Sequence, residues 1–167
     1  IYGTLALVWR ARTQWSMASI LLYFGVMGWA IGGIGALIDS TIAVNVKFHN
    51  TLWVPGHFHT YFLLGVVLMI LGGLFHLCGK LSGLPENLGR SRLCTGLICS
   101  GGYGFVLMFY LGGALSIPRR YAQYHELVST GTLLAGTALL FITLLFVGLL
   151  IYIWETGRRC AVALKRV

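Results

Sequence analysis

Charged residues are scarce in this sequence, and acidic residues and prolines scarcer still. Only 10% of the 167 residues are charged, four residues are acidic and three are proline, whereas 57% are hydrophobic. An ordinary soluble domain has roughly a quarter of its residues charged, so the composition excludes a globular protein with a solvated surface. The 23 glycines are interleaved with long apolar runs, which excludes a disordered polymer. We therefore predict an integral membrane protein.

The arrangement of the apolar and basic residues excludes two further classes. The apolar runs are continuous and do not alternate with polar residues, as they would in the strands of a membrane β-barrel. The formal net charge of +8 could indicate a nucleic-acid partner. The basic residues, however, lie in the gaps between apolar runs and form no stripe interleaved with stacking residues. The pattern predicts an all-α membrane protein without a nucleic-acid partner.

Four apolar runs are long enough to cross a bilayer. They cover residues 15–38, 53–77, 93–115 and 127–154, the last being long enough to tilt or protrude. A shorter run, residues 1–9, is typical of the end of a preceding helix, because no basic segment or cleavage pattern marks it as a signal peptide. We expect residues 1–167 to form a single membrane domain that is a fragment or one half of a split subunit.

The basic residues are distributed unequally between the two sides of the predicted membrane domain. The side opposite to the two termini has three basic residues, Lys47, Arg119 and Arg120. The side that both termini share has nine: Arg10, Arg12, Lys80, Arg90, Arg92, Arg158, Arg159, Lys165 and Arg166. An excess of Lys and Arg marks the cytoplasmic side. Both termini are therefore predicted on the cytoplasmic side. The doubled arginine opposes this rule, so we expect an anionic partner beside it.

Three of the five histidines lie between Phe48 and Thr60. Pro55 is tolerated in the first turn of a helix, so His57 and His59 are predicted to be helical, just inside the outer end of the second span. Positions two apart on a helix point roughly 200° from each other and lie about 3 Å apart along the axis. The two imidazoles therefore cannot chelate one ion, but one helix could offer an imidazole to each of two haem irons.

Other interpretations of these residues remain open. The histidines could be hydrogen-bonded packing residues, although polar groups inside a membrane are costly and usually functional. His76 lies about 28 Å from His57 along the helix and shares no site with it, and His125 is interpreted as a solvated loop residue. The Arg119–Arg120 pair suits bidentate capture of carboxylates such as haem propionates. The alternative partner is a lipid headgroup.

These motifs resemble those of subunit I of the haem-copper terminal oxidases, the catalytic subunit of cytochrome c and quinol oxidases. The family places a histidine eight positions before a His-x-His pair, as His49 stands before His57. Its Gly-Gly pair, seventeen residues before that first histidine, matches Gly32–Gly33. A further histidine matches His76, and a Pro-Arg-Arg-Tyr motif matches residues 118–121. The resemblance covers nearly the whole chain and aligns it with the carboxyl-terminal third to half of that subunit.

The resemblance implies a role for each motif. It makes His57 the catalytic residue, because the first histidine of the pair binds the high-spin haem iron of the oxygen site. The second, His59, would bind the low-spin haem iron, and Arg119 and Arg120 would contact haem propionates. The implied fold is part of a larger bundle of the twelve-helix type. This chain would supply four of its transmembrane helices and the end of a fifth.

The sequence also departs from the family pattern. Many members have an aspartate after the leading histidine, completing a magnesium or manganese site, whereas this chain has Asn50 beside His49. An amide holds a hard divalent cation more weakly than a carboxylate does. The family's copper ligands, the other axial ligand of the low-spin haem, the cross-linked tyrosine and the proton-channel residues all lie upstream. The chain would therefore need the amino-terminal part of subunit I.

The function implied by the resemblance is that of a respiratory terminal oxidase, which reduces oxygen to water with coupled proton translocation. Its cofactors would be two haems, a copper ion and a magnesium or manganese ion. Its partners would be the rest of subunit I, other subunits such as subunit II, cytochrome c or quinol as donor, and lipid. The alternatives are a nitric oxide reductase with non-haem iron in place of copper, a di-haem electron-transfer cytochrome, and a transporter or assembly subunit with structural histidines.

Overall fold

The computed structural model describes residues 2–10, 15–120 and 128–165. Its helices are α1 (Tyr2–Arg10), α2 (Met17–Asp39), α3 (Ile42–Phe48), α4 (Trp53–His59), α5 (Leu68–Ser82), α6 (Leu88–Ala114) and α7 (Val128–Leu164). A π-helical segment, Thr60–Val67, joins α4 to α5, so that one continuous helix runs from Trp53 to Ser82. No strand occurs within the described ranges.

Four helices are long and apolar enough to cross a membrane. They are Met17–Asp39, Trp53–Ser82, Leu88–Ala114 and Thr130–Leu164. The predicted all-α membrane fold with four spans is therefore confirmed. The second helix ends at Ser82 rather than at residue 77, and the fourth reaches Leu164 rather than residue 154.

The last helix continues beyond its predicted end because its polar residues find partners within the bundle. Glu155 is buried and forms an ion pair with Arg90 of α6. The Arg159 guanidinium, also buried, donates to the carbonyl oxygens of Leu84 and Pro85 at 2.8 and 3.0 Å. Charge alone places these residues outside a span, but their pairing compensates much of the cost of burial.

A row of small residues brings α2 into close contact with the histidine-bearing helix. Gly25, Gly28, Gly32 and Gly35 are buried and lie three or four positions apart, so they share one face of α2. A Cβ atom on Gly28 would lie only 2.6 Å from the backbone carbonyl carbon of Leu64. The two backbones approach this closely because residue 28 has no side chain, which is how helices commonly pack in membranes.

The apolar core lies between α2, α5, α6 and α7. Met17, Leu21, Leu68, Ile98 and Leu145 are among its buried members. The outer surface is apolar as well, and only 11% of the residues in the most apolar 18-residue stretch of α7 are buried. Such a surface is unfavourable in water and favourable against lipid or further apolar helices.

Candidate haem-ligand site

The two histidines of the His-x-His pair lie on α4, as predicted, and face different neighbours. His57 lies towards α2, where Oδ2 of Asp39 is 2.7 Å from its Nδ1 atom. His59 lies towards α6, where its ring stacks on Phe109 with centroids 5.4 Å apart and planes 23° apart. The imidazoles therefore point to separate flanks of one helix, which is the geometry that the spacing predicts.

One cavity lies beside His57, and another lies beside the phenylalanine rings that contact His59. A cavity of 370 Å³ next to α4 is lined in part by His57 and Asp39. A second cavity, of 340 Å³, lies between α6 and α7 and is lined in part by Phe105 and Phe109. Both of these phenylalanine rings contact the His59 imidazole. The chain thus has mainly apolar space next to His57 and next to the rings that contact His59, and a porphyrin needs largely apolar surroundings.

Hydrogen bonding leaves one nitrogen of His59 free to bind a metal. Its Nδ1 atom lies 2.7 Å from the carbonyl oxygen of Pro55, one turn earlier. Because a carbonyl only accepts, Nδ1 is the protonated nitrogen and Nε2 has the free electron pair. A histidine that ligates through Nε2 commonly has this arrangement.

The ring of His57 is placed differently. Its Nδ1 atom is buried and lies 2.7 Å from Oδ2 of Asp39. The two atoms are not aligned for a hydrogen bond, and Nδ1 has no other hydrogen-bond partner among the described residues. Nε2 does not face the carboxylate and is available as a metal ligand, and a histidine that ligates through Nε2 has its proton on Nδ1. The donor chemistry at both histidines therefore fits an axial haem ligand.

Asp39 is a residue of this site that the sequence motifs did not indicate. The carboxylate lies at the end of α2, where Oδ1 accepts a hydrogen bond of 2.7 Å from Nε1 of Trp53. A signal was available, because the chain has only four acidic residues and this one ends an apolar span. Ionisable groups in such positions are usually functional.

Glycines of α2 make room for the rings on the histidine helix. A Cβ atom on Gly35 would lie 3.1 Å from Nδ1 of His57, and one on Gly32 would lie 3.0 Å from the ring of Tyr61. Both distances are shorter than ordinary van der Waals contacts between carbon and its neighbours. Among the described residues, a Cβ on Gly33 would meet only the Tyr61 hydroxyl, at 4.0 Å. In the Gly-Gly pair of the sequence motif, Gly32 is therefore the residue in close contact.

A short backbone pairing places the arginine pair beside the histidine stretch. Thr51 and Pro118 form an isolated antiparallel bridge. Next to it, the backbone N–H of Arg119 donates to the carbonyl oxygen of Asn50 at 2.9 Å. The residues after α6 are thereby fixed against the residues before α4. This juxtaposition agrees with the expectation that the arginine pair and the histidines share one face.

The two arginines differ in exposure and conformation. Arg119 is half-buried, whereas Arg120 is exposed and has a φ of 65°. A positive φ costs a residue with a Cβ atom roughly 1–2 kcal/mol, and such strain is often found at functional sites. Within the described part of the chain, neither guanidinium forms an ion pair with a carboxylate.

The remaining predicted site residues are not gathered into a common centre. His49 and Asn50 follow α3 and are both exposed. Among residues 2–10, 15–120 and 128–165, no group of three or more His, Cys, Asp or Glu side chains could hold a metal ion. The magnesium or manganese site at His49 and Asn50 therefore stays a prediction. His76 is exposed on α5, and His125 lies outside the described residues.

The π-helical segment begins directly after His59. The hydroxyl of Thr60 donates to the carbonyl oxygen of Gly56 at 2.8 Å and lies 3.0 Å from the hydroxyl of Tyr110. Segments of π-helix are rare and occur frequently at functional sites. The sequence contains no local pattern that distinguishes such a segment from an ordinary helix, so it was not predicted.

The fold defines an all-α integral membrane protein, and comparisons with known proteins show its family. Residues 1–143 match the family described as "Cytochrome C and Quinol oxidase polypeptide I". The chain belongs to this family of oxidoreductase subunits. The resemblance drawn from its histidine, glycine and arginine motifs is thereby confirmed.

Individual relatives agree with this assignment. The chain is 30% identical over 151 residues to cytochrome c oxidase subunit 1 of Thermus thermophilus, an alignment that covers 83% of this chain and 27% of the relative. It is 27% identical over 170 residues to cytochrome c oxidase subunit 1 of Cereibacter sphaeroides, covering 95% of this chain and 29% of the relative. The cryo-EM structure of a haem-copper terminal oxidase dimer matches with a TM-score of 0.72 and 25% identity, covering 86% of this chain and 26% of that chain.

Proposed function

We propose that this chain is the haem-bearing part of the catalytic subunit of a respiratory terminal oxidase, which reduces oxygen to water with coupled proton translocation. The observation that carries the proposal is the placement of His57 and His59 on one helix, with their imidazoles towards opposite flanks, in a chain of the subunit I family. Haem, when bound, would supply the iron that exchanges electrons and, on the His57 side, binds oxygen.

In this proposal, α4 would hold two haem-ligating histidines at a fixed separation. His57 would ligate the high-spin haem and His59 the low-spin haem, each through Nε2. The Pro55 carbonyl fixes the proton on Nδ1 of His59, and the stacked Phe109 ring restrains the imidazole plane. A ligand held in this way loses little conformational freedom when it binds metal.

The cationic and polar residues beside the amino-terminal end of α4 have a supporting role. Arg119 and Arg120 would neutralise haem propionates, because guanidinium groups form strong paired hydrogen bonds to carboxylates. The bridge between Thr51 and Pro118 holds them beside the start of α4. His49 and Asn50 contribute to a magnesium or manganese site near the same propionates.

Oxygen reduction requires more than this chain. The copper ligands and the second axial ligand of the low-spin haem come from the amino-terminal part of subunit I. Subunit II and cytochrome c or quinol supply electrons, and lipid surrounds the bundle. Both termini lie on the cytoplasmic or matrix side, because nine of the twelve basic residues belong to that side.

The proposal is tested on the native membrane complex that contains this chain. Reduced-minus-oxidised optical spectra are recorded with and without carbon monoxide, together with copper content and oxygen consumption. We expect two haems, only one of which binds carbon monoxide, together with copper and oxygen uptake. Two haems, neither of which binds carbon monoxide, would indicate an electron-transfer cytochrome. Non-haem iron with nitric oxide reduction would indicate the reductase, and the absence of haem would overturn the proposal.

A further inference from the structure

We propose that Asp39 is a positioning residue for His57, whose carboxylate sets the orientation and electron density of the imidazole at the oxygen site. The inference rests on the proposed role of His57 as a haem ligand. It concerns a contact within this chain, between the end of α2 and the middle of α4. The rest of the subunit is not needed to form it.

The first observation is the position of the carboxylate relative to the ring. Oδ2 of Asp39 lies 2.7 Å from the buried Nδ1 of His57, and Nδ1 has no hydrogen-bond partner. A buried N–H without a partner is costly. A small rotation of the ring, with Nε2 bound to iron, would align the N–H with the adjacent carboxylate oxygen and remove that cost.

The second observation is that the carboxylate itself is fixed. Its Oδ1 atom accepts a hydrogen bond of 2.7 Å from Nε1 of Trp53. The Trp53 indole stacks on Phe48, with centroids 4.7 Å apart, and meets the edge of Tyr110 at the same distance. Because aromatic rings hold the indole on two sides, Asp39 is held in place beside the imidazole.

The third observation is a difference between the two histidines of α4. Nδ1 of His59 faces the neutral carbonyl of Pro55, whereas Nδ1 of His57 faces the carboxylate of Asp39. Hydrogen bonds to charged acceptors are roughly twice as strong as neutral ones, and such an outer partner raises the basicity of the ligand. Once the ring rotates to form this hydrogen bond, the carboxylate would make His57 the more electron-rich ligand, which would stabilise ferric iron bound to it.

The test compares substitutions in the native complex. Asp39→Asn keeps the size of the side chain and removes the charge, and Asp39→Glu keeps the charge. Trp53→Phe keeps the carboxylate but removes the hydrogen bond that fixes it. Glu86→Gln is the matched control, because it also removes one carboxylate while its Oε1 atom can still accept from the backbone N–H of Met17, at the opposite end of α2.

Two spectroscopic quantities serve as readouts. They are the iron–histidine stretching frequency of the reduced high-spin haem, by resonance Raman, and its midpoint potential, by redox titration. We expect Asp39→Asn to lower the frequency and to shift the reduction equilibrium towards ferrous iron about tenfold, equivalent to about 59 mV for one electron. Trp53→Phe should shift both in the same direction by less. Asp39→Glu and Glu86→Gln should leave both close to wild type.

The outcomes separate this inference from the proposed function. A wild-type complex without an iron–histidine mode overturns the proposed function and the inference with it. A wild-type mode that neither Asp39→Asn nor Trp53→Phe shifts, relative to Glu86→Gln, overturns the inference alone. If Asp39→Asn prevents assembly, the comparison of Trp53→Phe with Glu86→Gln decides, because a purely structural role would lower stability without moving the frequency.

Discussion

The backbone N–H of Arg119 donates to the carbonyl oxygen of Asn50 at 2.9 Å, which joins the arginine pair to the histidine stretch. The contact uses backbone atoms, so it leaves the Arg119 guanidinium free to bind an external carboxylate. It also fixes the backbone position from which the Arg119 side chain extends, relative to the start of α4. The backbone of the arginine pair is therefore attached to the segment that leads into α4.

Replacing Arg119 by alanine should weaken the binding of haem to the complex. Hydrogen bonds to charged groups contribute about 1.5–3 kcal/mol, so the rate of haem loss should rise by about ten- to a hundredfold. Transfer of haem from the detergent-solubilised complex to an apoprotein acceptor measures this loss. Arg119→Lys should restore part of the retention, because the charge remains while the bidentate geometry is lost.

The control for this prediction is Lys47→Ala, which removes an exposed cation from α3 on the same face. It should leave haem loss unchanged. If Arg119→Ala leaves the haem spectra, haem retention and turnover at wild-type values, the propionate role is excluded.

Adding a methyl group at Gly35 should disturb one haem only. The new Cβ would lie 3.1 Å from Nδ1 of His57, so the imidazole must shift away from α2. We expect Gly35→Ala to change the spectrum and carbon monoxide affinity of the high-spin haem while the low-spin haem keeps its spectrum. Optical spectra of the reduced complex, titrated with carbon monoxide, measure both.

Gly33→Ala serves as its neighbouring control, since within the described structure a Cβ there meets only the Tyr61 hydroxyl, at 4.0 Å. It should leave carbon monoxide binding as in the wild type. Equal effects from the two substitutions would show that α2 as a whole, and not the contact with His57, determines the response.

A methyl group at Gly28 should lower the stability of the complex. A Cβ at this position would lie 2.6 Å from the backbone of Leu64, and neither backbone can move without separating the two helices. Overpacking of this kind costs about 1–3 kcal/mol. Thermal unfolding of the detergent-solubilised complex should show a lower midpoint for Gly28→Ala.

Gly73→Ala provides the comparison on the partner helix, because in the described structure nothing lies within 4 Å of its Cβ position. Alanine is favoured over glycine in a helix by about 1 kcal/mol, so this variant should match or slightly exceed the wild type. A Gly28→Ala midpoint as high as that of Gly73→Ala would contradict close packing at residue 28.

Much of the fold follows from the sequence because membrane helices are specified by long apolar runs. The run 53–77 predicted the helix that carries His57 and His59, and Pro55 indicated its first turn. The ends of the helices were less predictable. Glu155 belongs to α7 because Arg90 reaches it from α6, and a contact between distant positions has no local signature.

The candidate site was also predictable only in part. Two histidines two positions apart determine that the imidazoles diverge, since this follows from helix geometry alone. Their neighbours Asp39 and Phe109 come from other helices, at positions that only the packing of α2 and α6 brings together.

The most direct test of the account is the reduced-minus-oxidised spectrum, with and without carbon monoxide, of complexes that have His57→Ala or His59→Ala. We predict that His57→Ala loses the haem that binds carbon monoxide and keeps the low-spin haem, and that His59→Ala loses the low-spin signal instead. If either variant retains both haem signals, or if the two losses are reversed, the assignment of the two histidines to separate haems is contradicted.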